Sequence, residues 1–110
     1  EALKDLLREK EPVDHNRIIK ACAEHFGVTV MDITKGGRTK QLALARQVAM
    51  YVLRATLSLS LKEIGGLFGN KDHTTVMHAI KRVGDLKTKD PAFAARLEKL
   101  SKGIKRGEPR

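Results

Sequence analysis

A run of four short polar residues, Asp72-His-Thr-Thr75, follows a glycine-containing stretch and carries side chains that form hydrogen bonds. Histidine and threonine can donate to acceptors on guanine or adenine, and aspartate can accept from the amino group of cytosine. A threonine methyl group can also contact the thymine methyl group. Each residue has an ordinary alternative role, since aspartate commonly caps a helix and the others are common on helix surfaces. Together, at the start of a helix, they indicate contact with base edges.

These four residues begin the second helix of a predicted two-helix unit. Ser60-Leu-Lys-Glu63 has the pattern of a capping box that opens a short helix. Gly69-Asn-Lys71 is typical of a turn, and Asp72 then caps a longer helix. The predicted inward residues are Leu61, Ile64, Leu67 and Phe68 in the first helix and Val76, Ile80, Val83 and Leu86 in the second. The pattern predicts a helix-turn-helix, whose second helix enters the major groove with its first turn.

Helical spacing also accounts for the segments before this unit. Asp14 predicts an N-cap and Gly27 the end of a helix whose apolar face is Ile18, Ile19, Cys22 and Phe26. Thr29-Val-Met-Asp32 has the pattern of a capping box that opens a short helix. Lys35–Lys40 is predicted to be a loop, because its paired glycines disfavour helix. A long helix is then predicted from about Leu42 to Leu57, with Ala45, Val48, Ala49, Val52 and Leu53 inward.

The two ends of the chain complete this prediction. Glu1–Lys10 places Leu3, Leu6 and Leu7 on one helical face. Asp90-Pro91 supplies a cap and a first-turn proline for a last helix, with Phe93, Leu97 and Leu100 inward. The basic segment Ser101–Arg110 is predicted to be frayed. No segment alternates with period two, so the sequence predicts an all-α fold, a compact domain of about six helices containing a helix-turn-helix.

The charge distribution favours a negatively charged partner. The 110-residue chain has 22 basic and 13 acidic residues, a formal net charge of +9. No acidic residue occurs between Ile33 and Lys62, while that segment contains Lys35, Arg38, Lys40, Arg46, Arg54 and Lys62. A surface of one sign attracts a polyanion such as nucleic acid. Charge alone leaves open a solvated basic surface, or a protein-interaction module that meets an acidic partner.

Several other classes of function are excluded by the residues. The single cysteine, Cys22, rules out an internal disulfide and a cysteine-based zinc module. His73 and His78 lie about 140° apart around a helix, so they do not form a metal-binding pair. No phosphate-binding loop of the GxxxxGK[ST] type and no nucleophile elbow occurs. We therefore predict no catalysis, no metal and no cofactor in this chain, and no membrane insertion, since no apolar run approaches about 18 residues.

Several motifs closely resemble the C-terminal DNA-binding domain of the bacterial chromosomal replication initiator family, DnaA. They are Ser60-Leu-Lys-Glu-Ile-Gly65, Phe68-Gly69, Lys71-Asp-His-Thr-Thr-Val76 and His78-Ala79, with Ala45-Arg-Gln-Val-Ala-Met50 upstream. The resemblance covers roughly Val13 to Leu100. It implies binding to double-stranded DNA at short asymmetric repeats, DnaA boxes, of a replication origin.

The resemblance also implies roles for individual residues. Arg38 would enter the minor groove with Lys40 beside it, and Asp72–Thr75 would contact bases in the major groove. Backbone phosphates would be near Arg46, Gln47, Arg54 and His78. The complete candidate set of DNA contacts is Arg38, Lys40, Arg46, Gln47, Arg54, Leu61, Lys62, Lys71, Asp72, His73, Thr74, Thr75 and His78.

The chain departs from the family pattern at three places. Ala45 and Lys62 stand where many members have proline, and Gly36-Gly37 stands where others have more basic residues. Lys62 is expected to offer a charged phosphate contact in place of an apolar base contact. The glycines are expected to reduce the number of minor-groove contacts, and with it the strength of binding.

The wider context is also an expectation from this resemblance. Because the sequence begins at Glu1, we expect a piece of a longer protein. Residues 1–11 would be a linker helix from an ATP-binding AAA+ module, and residues 12–110 the DNA-binding domain, monomeric when isolated. The parent would act in the cytoplasm, at the nucleoid. The alternative is a helix-turn-helix transcriptional regulator, or a phage or plasmid protein with a similar domain.

Overall fold

The computed structural model describes residues 14–106, with side chains as far as Ile104. Six helices make up this part of the chain: α1 His15–Phe26, α2 Val30–Lys35, α3 Lys40–Leu57, α4 Leu61–Leu67, α5 His73–Lys89 and α6 Pro91–Arg106. No strand occurs among these residues, so the predicted all-α fold is confirmed. The predicted helix at Glu1–Lys10 and the predicted linker of residues 1–11 lie outside the described residues.

Predicted caps define the ends of several helices. Asp14 accepts a hydrogen bond from the backbone amide of Arg17 at 2.9 Å and begins α1. Gly27 ends α1 with a φ of 68°, a left-handed conformation that glycine adopts without a steric cost. Asp90 accepts hydrogen bonds from two backbone amides in the first turn of α6. These ends depend on local contacts, which is why the sequence could predict them.

Helix α3 lies at the centre of the fold and packs against α1, α2, α4 and α5. Its buried residues are Ala45, Val48, Ala49, Met50, Val52 and Leu53. Met50 lies outside the predicted inward stripe, yet its exposed fraction is only 1%. A helix that is covered on several sides buries a wider face than a surface helix does.

Two helices differ in detail from the prediction. Helix α3 begins at Lys40, because the hydroxyl of Thr39 accepts a hydrogen bond from the backbone amide of Leu42 at 3.1 Å. Lys40 is therefore in the first turn of a helix and not in the loop. In α5, Ala79 is buried and Ile80 is only half-buried. The buried stripe of α5 is therefore Val76, Ala79 and Val83, and Ile80 packs at the edge of the core.

The prediction of a frayed C-terminal segment is wrong for residues 101–106. Helix α6 continues to Arg106, and Ile104 is 3% exposed within the core. Leu97 and Ile104 are seven residues apart, so both lie on the face that packs against α1 and α5. The basic composition of the segment concealed this apolar position.

The capping box at the start of α4 is present, and its removal should lower stability. The hydroxyl of Ser60 accepts from the amide of Glu63 at 3.0 Å, and the Glu63 carboxylate accepts from the amide of Ser60 at 2.8 Å. Ser60→Ala is expected to lower the free energy of unfolding by about 1 kcal/mol. Thermal denaturation at pH 7 would show a fall in melting temperature of about 4–8 °C.

The same box makes stability depend on pH in the acid range. Hydrogen bonds from the Ser60 amide and then from its hydroxyl lower the pKa of Glu63 in the folded state. This stabilisation is present above the ordinary carboxyl pKa and is lost as the pH falls through the lowered one. Glu63→Gln can retain the hydrogen bond without a titrating group, so its stability should depend less on acid pH. An unchanged acid dependence in Glu63→Gln would contradict this assignment.

Candidate nucleic-acid interface

The turn between α4 and α5 is built around Gly65. The amides of Phe68 and Lys71 both donate to the carbonyl oxygen of Gly65, at 3.1 and 3.0 Å. A Cβ atom on Gly65 would lie 2.2 Å from the carbonyl oxygen of Lys71, so only glycine fits at this position. Gly69 and Asn70 have φ values of 77° and 59°, which let the chain reverse direction. The turn therefore fixes where α5 begins relative to α4.

The polar run predicted from the sequence occupies the exposed N-terminal end of α5. Asp72 is the N-cap and accepts a hydrogen bond from the amide of Thr74 at 3.3 Å. Hydrogen bonding from Thr74, chiefly from its side chain, lowers the pKa of Asp72, so this carboxyl is charged at neutral pH. His73 and Asp72 have side chains that are 67% exposed, with Nδ1 of His73 3.6 Å from Oδ1 of Asp72. Thr75 is exposed and Thr74 is half-buried, so the run is accessible to a partner.

The face of α5 beyond this run is basic. His78 is exposed and lines a shallow groove together with Lys81, Arg82, Asp85, Leu86 and Lys89. Lys81 and Arg82 are exposed cations that were missing from the sequence-based candidate set. Their spacing of three and four residues from His78 places them beside it on a helix, and this signal could have identified them.

The loop between α2 and α3 carries Arg38, which is exposed, and leads into the exposed Lys40. This loop begins at Gly36, whose φ of 97° ends α2. A Cβ atom on Gly69 would lie 3.7 Å from the carbonyl oxygen of Thr34, so the turn before α5 adjoins the last turn of α2. The basic loop and the helix-turn-helix therefore meet at the end of α2.

The two arginines of α3 hydrogen bond to backbone carbonyls at either end of that helix. Nε of Arg46 donates to the carbonyl of Ile33 at 2.9 Å, and its Nη2 donates to the carbonyl of Gly37 at 3.0 Å. Nη1 of Arg54 donates to the carbonyl of Leu59 at 2.6 Å. Arg46 is half-buried and Arg54 is exposed. Arg46 therefore lies outside the apolar stripe of α3, where its guanidinium contacts the backbone of the domain itself.

The other candidate residues divide by exposure. Lys62 and Lys71 are exposed at the start of α4 and in the turn. Leu61 is partly buried against the core, and Gln47 is half-buried on α3. Leu61 thus supports the packing of α4, as its predicted inward position requires, and leaves part of its side chain accessible.

The electrostatics of the described residues match an anion-binding surface. Within residues 14–104, a carboxylate lies close to a histidine or lysine nitrogen in two places, Asp72 with His73 at 3.6 Å and Glu98 with Lys102 at 3.5 Å. Neither pair involves the cations of the loop, of α4 or of the turn. The described residues also contain no group of three side chains suited to hold a metal ion. None of the helices within residues 14–106 combines the length and apolarity needed to cross a membrane.

Comparisons with known proteins agree with the motifs and with the fold. The family model described as the bacterial dnaA protein helix-turn-helix matches residues 15–83, more than half of the chain. The chromosomal replication initiator protein DnaA of Ralstonia pickettii is 40% identical over 106 residues, covering 96% of this chain and 20% of the relative. The protein of the same name from Thermus thermophilus is 44% identical over 90 residues, covering 81% of this chain and 21% of the relative.

A solved structure supports the same assignment. The crystal structure of a DNA replication initiation factor matches 97% of this chain and 32% of its own, with a TM-score of 0.76 and 33% identity. The chain spans about a fifth of the length of the curated relatives that it matches. The matched region is a helix-turn-helix and not a catalytic domain. By the extent of the family match and by these identities, the chain belongs to the bacterial DnaA helix-turn-helix family.

Proposed function

We propose that this domain binds double-stranded DNA in a sequence-selective manner, with the N-terminal end of α5 in the major groove and Arg38 in the minor groove. The observation that carries the proposal is the polar run Asp72–Thr75 at a capped helix end, of which Asp72, His73 and Thr75 are exposed and Thr74 is half-buried. Val76, which is fully buried, anchors this run to the core, so the helix end is rigid. A rigid helix end with short polar side chains can approach base edges closely.

Each group at the helix end has a matching partner on the bases. The charged Asp72 carboxylate can only accept, which suits the amino group of cytosine. His73 and Thr75 can donate to purine acceptors, and the threonine methyl groups can contact thymine. These contacts would carry the sequence preference, whereas contacts to phosphates would set the position of the domain.

The cations around the helix end supply the second part of binding. Arg38, Lys40, Lys62 and Lys71 are exposed on the loop, on α3, on α4 and in the turn. An arginine side chain on a loop suits a narrow minor groove, where the negative potential is enhanced. Each neutralised phosphate should contribute about −0.9 to the slope of log affinity against log salt concentration.

The role of the whole protein is part of this proposal. The curated relatives are named chromosomal replication initiator protein DnaA. We infer that the parent of this domain acts in the initiation of chromosomal replication in the bacterial cytoplasm, by binding DnaA boxes at an origin. ATP binding would belong to another part of that protein, and several copies on neighbouring sites would add avidity to a modest single-site affinity.

Selection of binding sites from a pool of random duplexes tests the proposal directly. A short asymmetric consensus of about nine base pairs, the size of a DnaA box, is the expected result, together with a steep loss of affinity as salt rises. A long palindrome would indicate a dimeric regulator instead, because a symmetric site mirrors a two-fold protein. Equal binding of all duplexes would contradict the proposal and would favour an interaction module with an acidic partner.

His73→Ala and Thr74→Ala should each reduce the sequence preference of the domain. We expect a loss of roughly 1–3 kcal/mol on the selected duplex and almost no change on random DNA. Fluorescence anisotropy with both duplexes measures the difference.

Thr88→Ala is the matched control for these variants, because Thr88 lies at the other end of α5 and bonds only the carbonyl of Gly84. It should leave both affinities near the parent values. Equal losses on selected and random DNA in His73→Ala would contradict a base contact.

A further inference from the structure

The guanidinium of Arg46 binds three backbone carbonyls, two in the last turn of α2 and one, that of Gly37, in the basic loop. Its Nε donates to Ile33, and its Nη2 donates to Gly37 at 3.0 Å and, at 3.5 Å, to Asp32. Gly37 immediately precedes Arg38. We propose that Arg46 is a positioning residue for the minor-groove contact, acting through this loop to present Arg38. This inference rests on the proposed DNA binding and assigns to Arg46 a task other than a phosphate contact.

The chemistry of the three acceptors explains why an arginine is placed there. The carbonyls of Asp32 and Ile33 belong to the last turn of α2, where the helix dipole places partial negative charge, and the carbonyl of Asp32 also accepts a hydrogen bond from the amide of Gly36. The planar guanidinium presents several N–H donors in a fixed fork, so one side chain can bind carbonyls in α2 and in the loop together. A lysine in this place keeps the charge but loses the fork.

Few hydrogen bonds fix the shape of the loop, although the amide of Gly36 donates to the carbonyl of Asp32 and Gly37 packs against the side chain of Leu42. Gly36 and Gly37 have no side chains, and glycine has the largest backbone freedom of any residue. The backbone bond from the amide of Gly37 to the carbonyl of Asp32 is long, at 3.4 Å. By contrast, the bond from Nη2 of Arg46 to the carbonyl of Gly37 joins the loop to α3, the central helix of the fold. Arg46 therefore restricts the glycines that carry Arg38.

Arg54 provides a matched comparison on the same helix. Its guanidinium binds the carbonyl of Leu59, which precedes the capping residue Ser60 and the start of α4. Arg54 thus joins α3 to the helix-turn-helix, whereas Arg46 joins α3 to the basic loop. The substitutions Arg46→Lys and Arg54→Lys conserve charge and differ in the segment that they release.

A double-mutant cycle separates positioning from a phosphate contact. Arg46→Lys, Arg38→Ala and the double variant are titrated with the duplex selected by the parent domain, and Arg54→Lys is combined with Arg38→Ala in the same way. We expect Arg46→Lys to weaken binding about fivefold in the parent and to have almost no effect in the Arg38→Ala background. Arg54→Lys should have the same effect in both backgrounds.

Two further measurements exclude a merely structural role. Hydrogen exchange at the amides of Gly37 and Arg38 should accelerate in Arg46→Lys and stay unchanged in Arg54→Lys. A second duplex is altered at the base pairs whose recognition requires His73. In Arg46→Lys, the ratio of the affinities for the selected and the altered duplex should stay at the parent value, because α5 keeps its position. A lower melting temperature together with a loss of that discrimination would overturn the proposal, because Arg46 would then support the whole fold.

The remaining outcomes are distinct. Additive effects of Arg46→Lys and Arg38→Ala in a domain that still selects one duplex would overturn the positioning role alone and favour an independent phosphate contact. Unchanged exchange at Gly37 and Arg38 would also overturn it. If the parent domain prefers no duplex, the proposed function fails, and the positioning role fails with it.

Discussion

Replacing Gly65 with alanine is expected to lower the free energy of unfolding by about 3 kcal/mol, at the upper end of the cost of overpacking. The added Cβ would lie 2.2 Å from the carbonyl oxygen of Lys71 and 3.3 Å from its carbonyl carbon. Both are backbone atoms, so they cannot move aside as the end of a flexible side chain can. The turn must open, and the hydrogen bond from the amide of Lys71 to the carbonyl of Gly65 must lengthen or break.

The consequence should be visible in stability and in DNA binding. A loss of this size corresponds to a fall in melting temperature of roughly 12–24 °C in a domain of this length. Because the turn sets where α5 begins, the selected duplex should lose more affinity than random DNA does. Thermal denaturation and anisotropy titrations below the melting temperature of the variant measure the two effects separately.

Gly66→Ala is the matched control for this prediction. Gly66 is the next residue in α4, and a Cβ atom there would meet nothing within 4 Å. Alanine is favoured over glycine inside a helix by about 0.5–1 kcal/mol, so Gly66→Ala should be neutral or slightly stabilising. Equal melting temperatures for the two variants would show that the close approach at Gly65 is not what makes glycine necessary there.

The features that the sequence could predict depend on contacts close together in the chain. Asp14, Ser60 and Asp72 bond to amides only two or three residues away, so each helix start is visible as a short pattern. The two-helix unit also follows from local spacing, because its glycine turn separates two apolar stripes. The exposed run Asp72–Thr75 follows in turn from the cap and the buried Val76.

The features that the sequence did not predict depend on contacts between distant segments. Arg46 bonds to carbonyls nine to fourteen residues away, and no local pattern distinguishes this contact from a phosphate contact. The burial of Ile104 requires the packing of α6 on α1 and α5, which a basic C-terminal composition does not suggest. Lys81 and Arg82 are a different case, because their helical spacing from His78 is a local pattern that the sequence does show. They were missed because base contacts are expected in the first turn of α5, and both residues lie beyond that turn.

Val76→Asp is expected to have the largest effect of any substitution considered. Val76 is 0% exposed and belongs to the core cluster that joins α5 to the other helices. A carboxylate in this place would have no cationic partner. It must therefore stay charged inside the core, take up a proton, or force α5 out of the core. The cost should exceed about 4 kcal/mol, a large part of the roughly 5–15 kcal/mol by which small domains are stable.

Circular dichroism and thermal denaturation should therefore show a protein that is unfolded at about 37 °C or melts at least about 16 °C below the parent. Met77→Asp is the matched control, because Met77 adjoins Val76 in α5 but is 46% exposed. An aspartate at this exposed position keeps its charge in water, so Met77→Asp should melt near the parent temperature. A cooperative transition at the parent temperature in Val76→Asp would contradict the burial of Val76. It would also contradict the conclusion that Val76 anchors the N-terminal end of α5 to the core. Parallel losses in both variants would instead indicate that negative charge anywhere in this turn of α5 destabilises the domain.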